Sequence, residues 1–210
     1  MTGFEPFGGD ARNPSWDAVQ ALAQGFTESM WQVGATGRKP APKVALFTQL
    51  LPVSFSRGPA ALLDSLRDIR PAVVVATGYA AKASEIRLER VALNLADARI
   101  HDNDGAEPRD AAVIDGAPAA YFAKLPLRAA EFALRRAQIP VTLSETAGTF
   151  VCNAAFFTLM HQYAKKRDDD VSAGFVHVPP PLMLGESYAE GILTIASALA
   201  EVVRAALRFN

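Results

Sequence analysis

Residues 72–76 read Ala-Val-Val-Val-Ala, an apolar run in which no polar residue alternates. A strand with one solvated face alternates apolar and polar residues, whereas a strand covered on both faces does not. The run therefore predicts a central strand with helices packed on both faces of its sheet. Shorter runs rich in β-branched and apolar residues predict further strands at 43–50, 90–95, 141–145 and 173–178.

Amphipathic patterns lie between these strands. Asn13 is a favourable N-cap and Pro14 a favourable first residue of a helix. Further helices are expected after Ser56, from Pro126, over 151–166 and over 187–207. Strands that alternate with helices predict an α/β fold: one domain, residues 1–210, built as a three-layer α/β/α sandwich around a mostly parallel twisted sheet.

Composition excludes several classes of protein. The 210 residues carry 21 basic and 22 acidic side chains, a formal net charge of -1, so no basic surface is expected to bind nucleic acid or an anionic membrane. No apolar run approaches the ~20 residues that span a bilayer, and the first residues contain no export signal. A single cysteine cannot form an internal disulfide. These features predict a cytoplasmic protein.

Three segments fall outside the regular pattern. Residues 3–9 are turn-rich, and only two residues precede them, so the first strand is expected to be almost absent or the natural start to lie upstream. Residues 96–118 form a long polar loop, which in a compact domain is often functional. The charged run at 165–170 is interpreted as a solvated helix end and turn.

Cys152 is the only thiol and follows Gly148, where a predicted strand passes into a predicted helix. If Thr149 is the N-cap, Cys152 lies in the first turn, where free backbone N–H groups and the helix dipole favour a thiolate. The same N–H groups could stabilise an oxyanion. The alternative interpretation is that Cys152 is a small buried apolar residue, as most free cysteines are.

A cysteine nucleophile needs an imidazole within hydrogen-bond reach, and the chain has three histidines. His161 follows Cys152 by nine residues on the same predicted helix. At 1.5 Å per residue it lies roughly 13 Å away along the axis, too far to pair. His101 lies in the polar loop and is a weak candidate. His177 ends a predicted central strand, where sites of α/β proteins form, and is the preferred partner.

The imidazole in turn needs a carboxylate that orients it and stabilises its cation. Five acidic residues lie near predicted strand ends: Glu85, Glu89, Asp102, Asp104 and Glu145. The residues alone do not select one of them.

Five segments resemble, in order along the chain, the pyroglutamyl peptidase I family of cysteine peptidases. The first and most N-terminal match is Thr-Gly-Phe-Glu-Pro-Phe-Gly-Gly at 2–9 with Asn-Pro-Ser-Trp at 13–16. The segments at 88–94 and 98–105 are similar to the glutamate segment and to the loop that follows it in that family. Thr-Ala-Gly-Thr-Phe-Val-Cys-Asn at 146–153 resembles the nucleophile segment, and Gly-Phe-Val-His-Val-Pro at 174–179 the histidine segment.

The resemblance implies a catalytic triad of Cys152, His177 and Glu89. It implies removal of N-terminal pyroglutamyl residues from peptides, no metal or other cofactor, an intracellular location and a homo-oligomer, a tetramer or a dimer. Arg99 is expected near the reacting carbonyl. The other implied substrate-binding residues are Phe4, Phe7, Asn13, Ile100, Phe150 and Val151.

The chain departs from the family pattern in four places. Gly-Tyr-Ala-Ala-Lys-Ala at 78–83 replaces the Gly-Gln-Ala-Gly-Gly-Arg of many bacterial members, and Pro-Pro-Pro-Leu follows at 179–182. His101 stands where proline is usual, and the first strand is short. Two alternatives remain. The altered 78–83 segment leaves open a homologue that binds pyroglutamyl peptides without cleaving them, and α/β/α sheets of similar topology leave open a phosphorylase-like enzyme.

Overall fold

The computed structural model describes residues 1–26, 44–165 and 171–209. Within these residues the helices and strands follow one another in a fixed order. They are β1 (Thr2–Phe4), α1 (Pro14–Gln24), β2 (Gln49–Leu51), α2 (Arg57–Ile69), β3 (Val73–Tyr79), β4 (Ile86–Glu89), β5 (Val91–Leu93), β6 (Ala120–Phe122), α3 (Leu127–Arg136), β7 (Val141–Ser144), α4 (Val151–Lys165), β8 (Ser172–Val178) and α5 (Tyr188–Phe209).

In the described part of the chain, six strands form the central sheet in the order β2-β1-β3-β8-β4-β7. Every neighbouring pair is parallel except β4 and β8, which are antiparallel. Strands β5 and β6 form a separate antiparallel pair. The predicted α/β fold with a mostly parallel central sheet is confirmed.

Apolar side chains of the sheet alternate between two cores, one on each face. Val75 and Val176 join the core that includes α1, α3 and α5. Val74 and Phe175 join the core formed with α2 and α4. Since β3 and β8 are covered on both faces, their sequences are apolar without alternation, as the sequence predicts.

The predicted strand at 90–95 is wrong in its bounds, since only β5 (Val91–Leu93) forms within it. Strand β4 ends at Glu89, and Arg90 links it to β5, which belongs to the other sheet. The backbone of Arg90 is bonded to two other segments: its N–H donates to Ser144 O, and its carbonyl accepts from Ala123 N. The predicted strand at 43–50 reduces to β2, and its first residue lies outside the described residues.

The predicted helices are all present, with shifted ends. Asn13 caps α1 as expected, since its Oδ1 accepts a hydrogen bond from Ser15 N at 3.0 Å. Ser56 precedes α2 but makes no side-chain cap bond, and Ser54 Oγ accepts from Arg57 N instead. Most of the charged run at 165–170 lies outside the described residues.

Candidate active site

Cys152 is the second residue of α4 and is partly buried. The carbonyl of Phe150 accepts a hydrogen bond from Ala154 N at 3.1 Å, so Phe150 and not Thr149 occupies the N-cap position. The Thr149 hydroxyl instead donates to the Asp97 carbonyl at 2.8 Å. Cys152 nevertheless lies in the first turn, where backbone N–H groups have no partner within the helix.

Asn153 fixes the start of α4 against the second sheet. Its Oδ1 accepts from Leu93 N at 2.9 Å, and its Nδ2 donates to the carbonyls of Leu93 at 2.8 Å and Leu95 at 2.9 Å. The side chain is fully buried. Sequence reasoning assigned no role to Asn153, although an asparagine inside an apolar helix often marks a backbone contact.

His177 lies one residue before the end of β8, near the middle of the sheet. It follows Phe175 by two residues and therefore faces the same side of the sheet, the side on which α4 packs. The Phe175 ring meets the His177 ring edge-on, with 5.0 Å between ring centres. This contact limits the orientations that the imidazole ring can adopt.

Glu89 is the carboxylate that contacts His177. Its Oε1 lies 2.8 Å from His177 Nδ1, and the side chains are 1% and 9% exposed. Glu89 Oε2 is buried and has no hydrogen-bond partner among the described residues. The negative charge of Glu89 is therefore compensated chiefly by the imidazole.

Burial, Cys152 and Glu89 together determine the pKa of His177. Burial is the largest influence and lowers the pKa, but the hydrogen bonds and charges of Cys152 and Glu89 outweigh it and raise the pKa to about 9. Since Nδ1 faces Glu89, the other ring nitrogen, Nε2, is left for the thiol. Cys152 and Glu89 together therefore favour the charged form of His177, the imidazolium.

The other histidines lie elsewhere. His161 is on α4, nine residues beyond Cys152 as predicted, with Nδ1 2.8 Å from the Tyr121 hydroxyl and its ring stacked on Phe157. His101 is exposed and lies 3.4 Å from Glu107.

The remaining acidic candidates have other partners or lie at the surface. Asp102 is buried and accepts backbone hydrogen bonds from Phe55, Asp104 and Ala106. Hydrogen bonds from Arg57 and Ser54 lower the pKa of the Asp104 carboxyl to about 2. Glu145 forms an exposed ion pair with Arg90, and Glu85 is half-buried ahead of β4.

A cavity of about 240 Å³ opens beside Cys152. Five of the residues expected to bind substrate line it: Phe4, Phe7, Asn13, Phe150 and Val151. Phe150 contacts the rings of Phe7 and Phe55, each with 5.2 Å between ring centres. An apolar cavity of this size, below the ~300 Å³ lower end of ligand pockets, fits a small uncharged ring.

Asn13 and Glu5 tie the N-terminal wall of this cavity to the rest of the molecule. Asn13 Nδ2 donates to the Glu5 carbonyl at 2.9 Å. Glu5 Oε1 accepts from Val53 N at 3.0 Å and from Asn103 Nδ2 at 2.8 Å. The polar loop is thus attached to the cavity wall through Asn103.

Arg99 and Ile100 are exposed and do not line the cavity. Their roles toward substrate stay predictions. The lining also includes residues to which sequence reasoning gave no binding role: Gly8, Asp10, Arg12, Val53, Tyr79 and Ala81. The turn-rich segment 3–9, which contains Phe4 and Phe7, was the available signal for Gly8. Burial and the charge of Asp10 raise the pKa of Tyr79, so its hydroxyl stays protonated near neutral pH.

A second cavity, of about 360 Å³, contains neither the thiol nor His177 in its lining. It is lined mainly by apolar residues, among them Leu66, Val74 and Val203. In the described part of the chain, no group of three or more His, Cys, Asp or Glu side chains could hold a metal ion. No described helix combines the length and apolarity needed to cross a membrane.

Comparison with known proteins gives one family. The family model described as pyroglutamyl peptidase matches residues 1–207. The pyrrolidone-carboxylate peptidase of Cupriavidus necator is 43% identical over 85% of this chain and 76% of its own length. That of Clavibacter michiganensis subsp. michiganensis is 40% identical over 99% of this chain and 91% of its own length. The crystal structure of Bacillus amyloliquefaciens pyroglutamyl peptidase I superposes with a TM-score of 0.81 and 32% identity, covering 98% of this chain and 94% of that one.

Proposed function

The chain belongs to the pyroglutamyl peptidase family and is a cysteine peptidase that removes N-terminal pyroglutamyl residues; we propose that Cys152, His177 and Glu89 carry out the reaction. One observation carries the assignment of residues. His177 Nδ1 lies 2.8 Å from Glu89 Oε1, and the interactions of His177 with Cys152 and Glu89 outweigh burial and raise its pKa to about 9.

The reaction begins with transfer of a proton from Cys152 to His177. Nε2 takes the proton of the Cys152 thiol, and Glu89 stabilises the imidazolium that results. The thiolate then attacks the carbonyl carbon that joins the pyroglutamyl ring to the next residue. The N–H groups of the first turn of α4 meet the oxygen that becomes negative, and Arg99 is proposed to support them.

The tetrahedral intermediate collapses as the C–N bond breaks. His177 gives its proton to the departing amine, and the pyroglutamyl group remains on Cys152 as a thioester. Water then attacks the thioester carbonyl while His177 removes a proton from the water. Free pyroglutamate leaves, and the thiol regains its proton.

The cavity supports recognition of the pyroglutamyl ring. The ring is uncharged and lacks the free amine of other N-terminal residues, so it needs apolar walls and a few hydrogen bonds. Phe4, Phe7 and Phe150 supply apolar surface, and Asn13 supplies a polar side chain. Ile100 is proposed to join this set when substrate binds.

The two alternatives are not favoured. A phosphorylase-like activity has no support in relatives that match over nearly the whole chain. A homologue that binds without cleaving is disfavoured because the thiol, the imidazole and the carboxylate are all present, with His177 bonded to Glu89 and its pKa raised by Cys152 and Glu89.

We further propose that residues 1–210 act as one domain, in the cytoplasm, as a homo-oligomer and without a cofactor. A nucleophilic thiol works in a reducing compartment, which supports the location. Exposed apolar side chains such as Phe122 and Leu193 are 73% and 60% accessible, which supports association of copies. Sedimentation at a mass that is a multiple of 22.4 kDa tests the oligomer.

The function is tested with fluorogenic amides of pyroglutamate, proline and glutamine. We expect hydrolysis of the pyroglutamyl amide alone, and loss of that hydrolysis after treatment with iodoacetamide. Cys152→Ser should abolish turnover because a hydroxyl of far higher pKa replaces the thiol. Purified Cys152→Ser that kept more than about one per cent of wild-type kcat/KM would rule out a thiol nucleophile.

A further inference from the structure

Gly78, the second-last residue of β3, lies directly against the thiol of Cys152. A Cβ atom built on Gly78 would stand 2.6 Å from Cys152 Sγ and 2.9 Å from Phe175 Cζ. Non-bonded heavy atoms are most stable at roughly 3.5–4.0 Å, so even a methyl group overlaps both neighbours. The space that a side chain would fill is already occupied by the nucleophile.

Backbone conformation does not explain this glycine. Among the described residues, five glycines have a positive φ, and Gly78 is not one of them. Gly78 instead pairs in parallel register with His177 in the middle of the sheet. An alanine could adopt that extended conformation, so the requirement for glycine comes from the space above Cα.

The surroundings of Gly78 are the reacting groups. Its register partner is His177, and the Phe175 ring that would meet its Cβ also contacts the His177 ring edge-on at 5.0 Å. Cys152 Sγ therefore packs against the backbone of β3 at Gly78, the residue that is paired with His177. Resting on the proposed function, we propose that Gly78 is a positioning residue. Because Gly78 has no side chain, space remains in which Cys152 Sγ lies against His177.

The thiol has few ways to avoid a methyl group at Gly78. Rotation about the Cα–Cβ bond moves Sγ between staggered positions and takes it away from His177. A shift of α4 as a whole is opposed by Asn153, which bonds the start of the helix to Leu93 and Leu95. We therefore expect Gly78→Ala to separate the thiol from the imidazole while the sheet remains formed.

The test compares Gly78→Ala with Gly174→Ala. A Cβ at Gly174 would stand 2.7 Å from Leu125 Cδ1, an overlap similar in size, but in the core on the other face of the sheet. For the folded fraction, we expect kcat/KM to fall at least about 100-fold in Gly78→Ala and less than about threefold in Gly174→Ala. Both variants are checked by circular dichroism and melting temperature.

Alkylation by iodoacetamide reports on the thiol without using substrate. We expect its rate, measured as a profile against pH, to fall at pH 7 in Gly78→Ala, because the thiol is separated from the imidazole that takes its proton. Gly174→Ala should keep the wild-type profile. A folded Gly78→Ala protein with wild-type alkylation and kcat/KM within threefold of wild type overturns the proposal.

A second measurement applies if Gly78→Ala folds poorly. Cys152→Ala removes Sγ, so the drop in melting temperature caused by Gly78→Ala should be smaller in that background than in the wild type. Equal drops in the two backgrounds would show that the thiol does not occupy the space above Gly78. Wild-type protein that reacts with iodoacetamide but does not hydrolyse the pyroglutamyl amide would refute the proposed function alone, since alkylation and melting still decide the role of Gly78.

Discussion

His177 and His161 differ in what their ring nitrogens contact. His177 lies between Glu89 and Cys152. His161 Nδ1 lies 2.8 Å from the Tyr121 hydroxyl, and nine residues of α4, roughly two and a half turns, separate His161 from Cys152. We expect His177→Ala to lower kcat/KM at least about 1,000-fold, as loss of the thiol does, because the residues act as a unit. His161→Ala should change kcat/KM less than about threefold, measured with the pyroglutamyl amide.

The control for this comparison is folding. His161→Ala leaves the Tyr121 hydroxyl without its histidine, so a modest drop in melting temperature is expected. If His161→Ala lost as much kcat/KM as His177→Ala in folded protein, the assignment of the imidazole would be incorrect.

Glu89 controls the range of pH over which His177 is charged. With a His177 pKa of about 9, the imidazolium is present below that pH and is lost as the pH rises through it, so kcat/KM should fall above about pH 9. Glu89→Gln keeps the shape but removes the charge, which lowers the pKa of His177. The alkaline fall should therefore move down by about 1–2 pH units.

Glu85→Gln is the matched control, because Glu85 lies on the same segment but is half-buried ahead of β4. Its pH profile should superpose on that of the wild type. An alkaline limb that moved equally in both variants would show that the carboxylate acting on His177 is not Glu89.

At the scale of the element, the start of α4 depends on Asn153. Replacing it with alanine leaves the N–H and carbonyl of Leu93 and the carbonyl of Leu95 without these hydrogen bonds. We expect Asn153→Ala to lower the free energy of unfolding by about 2–5 kcal/mol, measured by urea denaturation. It should also reduce kcat more than it changes KM, because the thiol is displaced and the cavity is kept.

Asn103→Ala is the comparison for Asn153→Ala. Asn103 also makes two side-chain bonds to other segments, to Glu5 and Pro6, but at the surface. Asn103→Ala should lower the free energy of unfolding by less than about 1 kcal/mol, since water replaces the lost hydrogen bonds. A cost as large as that of Asn153→Ala would mean that burial does not decide the outcome.

Elements with a strong local signal could be predicted, and those defined by distant contacts could not. The apolar runs of β3 and β8 and the cap at Asn13 agree with the structure because each depends on nearby residues. The division between β4 and β5 depends on Ser144 and Ala123, which bond to Arg90 from far along the chain. Strand β6 has three residues and no alternation that would reveal it.

At the scale of the whole molecule, the site combines segments that are distant in sequence. The spacing of residues could select Cys152 and His177, because a helix start and a strand end are local features. It could not select Glu89 among five acidic residues, since that choice depends on the pairing of β4 with β8. The cavity wall around Tyr79 and Val53 could not be predicted from the sequence either, because it forms only when β3 and the N-terminal segment meet.

The assembly of this wall leads to a prediction about specificity at 78–83, where the chain departs from its family. Tyr79 lines the cavity, whereas Lys82 is exposed and does not. If backbone groups and the phenylalanine walls hold the pyroglutamyl ring, replacing these side chains should leave the preference for that ring intact. Proline lacks the ring carbonyl, so its binding leaves a buried donor unpaired.

We therefore expect wild type, Tyr79→Gln and Lys82→Ala all to prefer the pyroglutamyl amide over the prolyl amide by at least about 1,000-fold in kcat/KM. Tyr79→Gln introduces the residue usual in the family, and Lys82→Ala controls for a change on the same loop outside the cavity. A wild-type enzyme that cleaved both amides at similar kcat/KM, with discrimination appearing only in Tyr79→Gln, would mean that Tyr79 has reshaped the cavity. The side chain, and not the backbone, would then determine which ring is accepted.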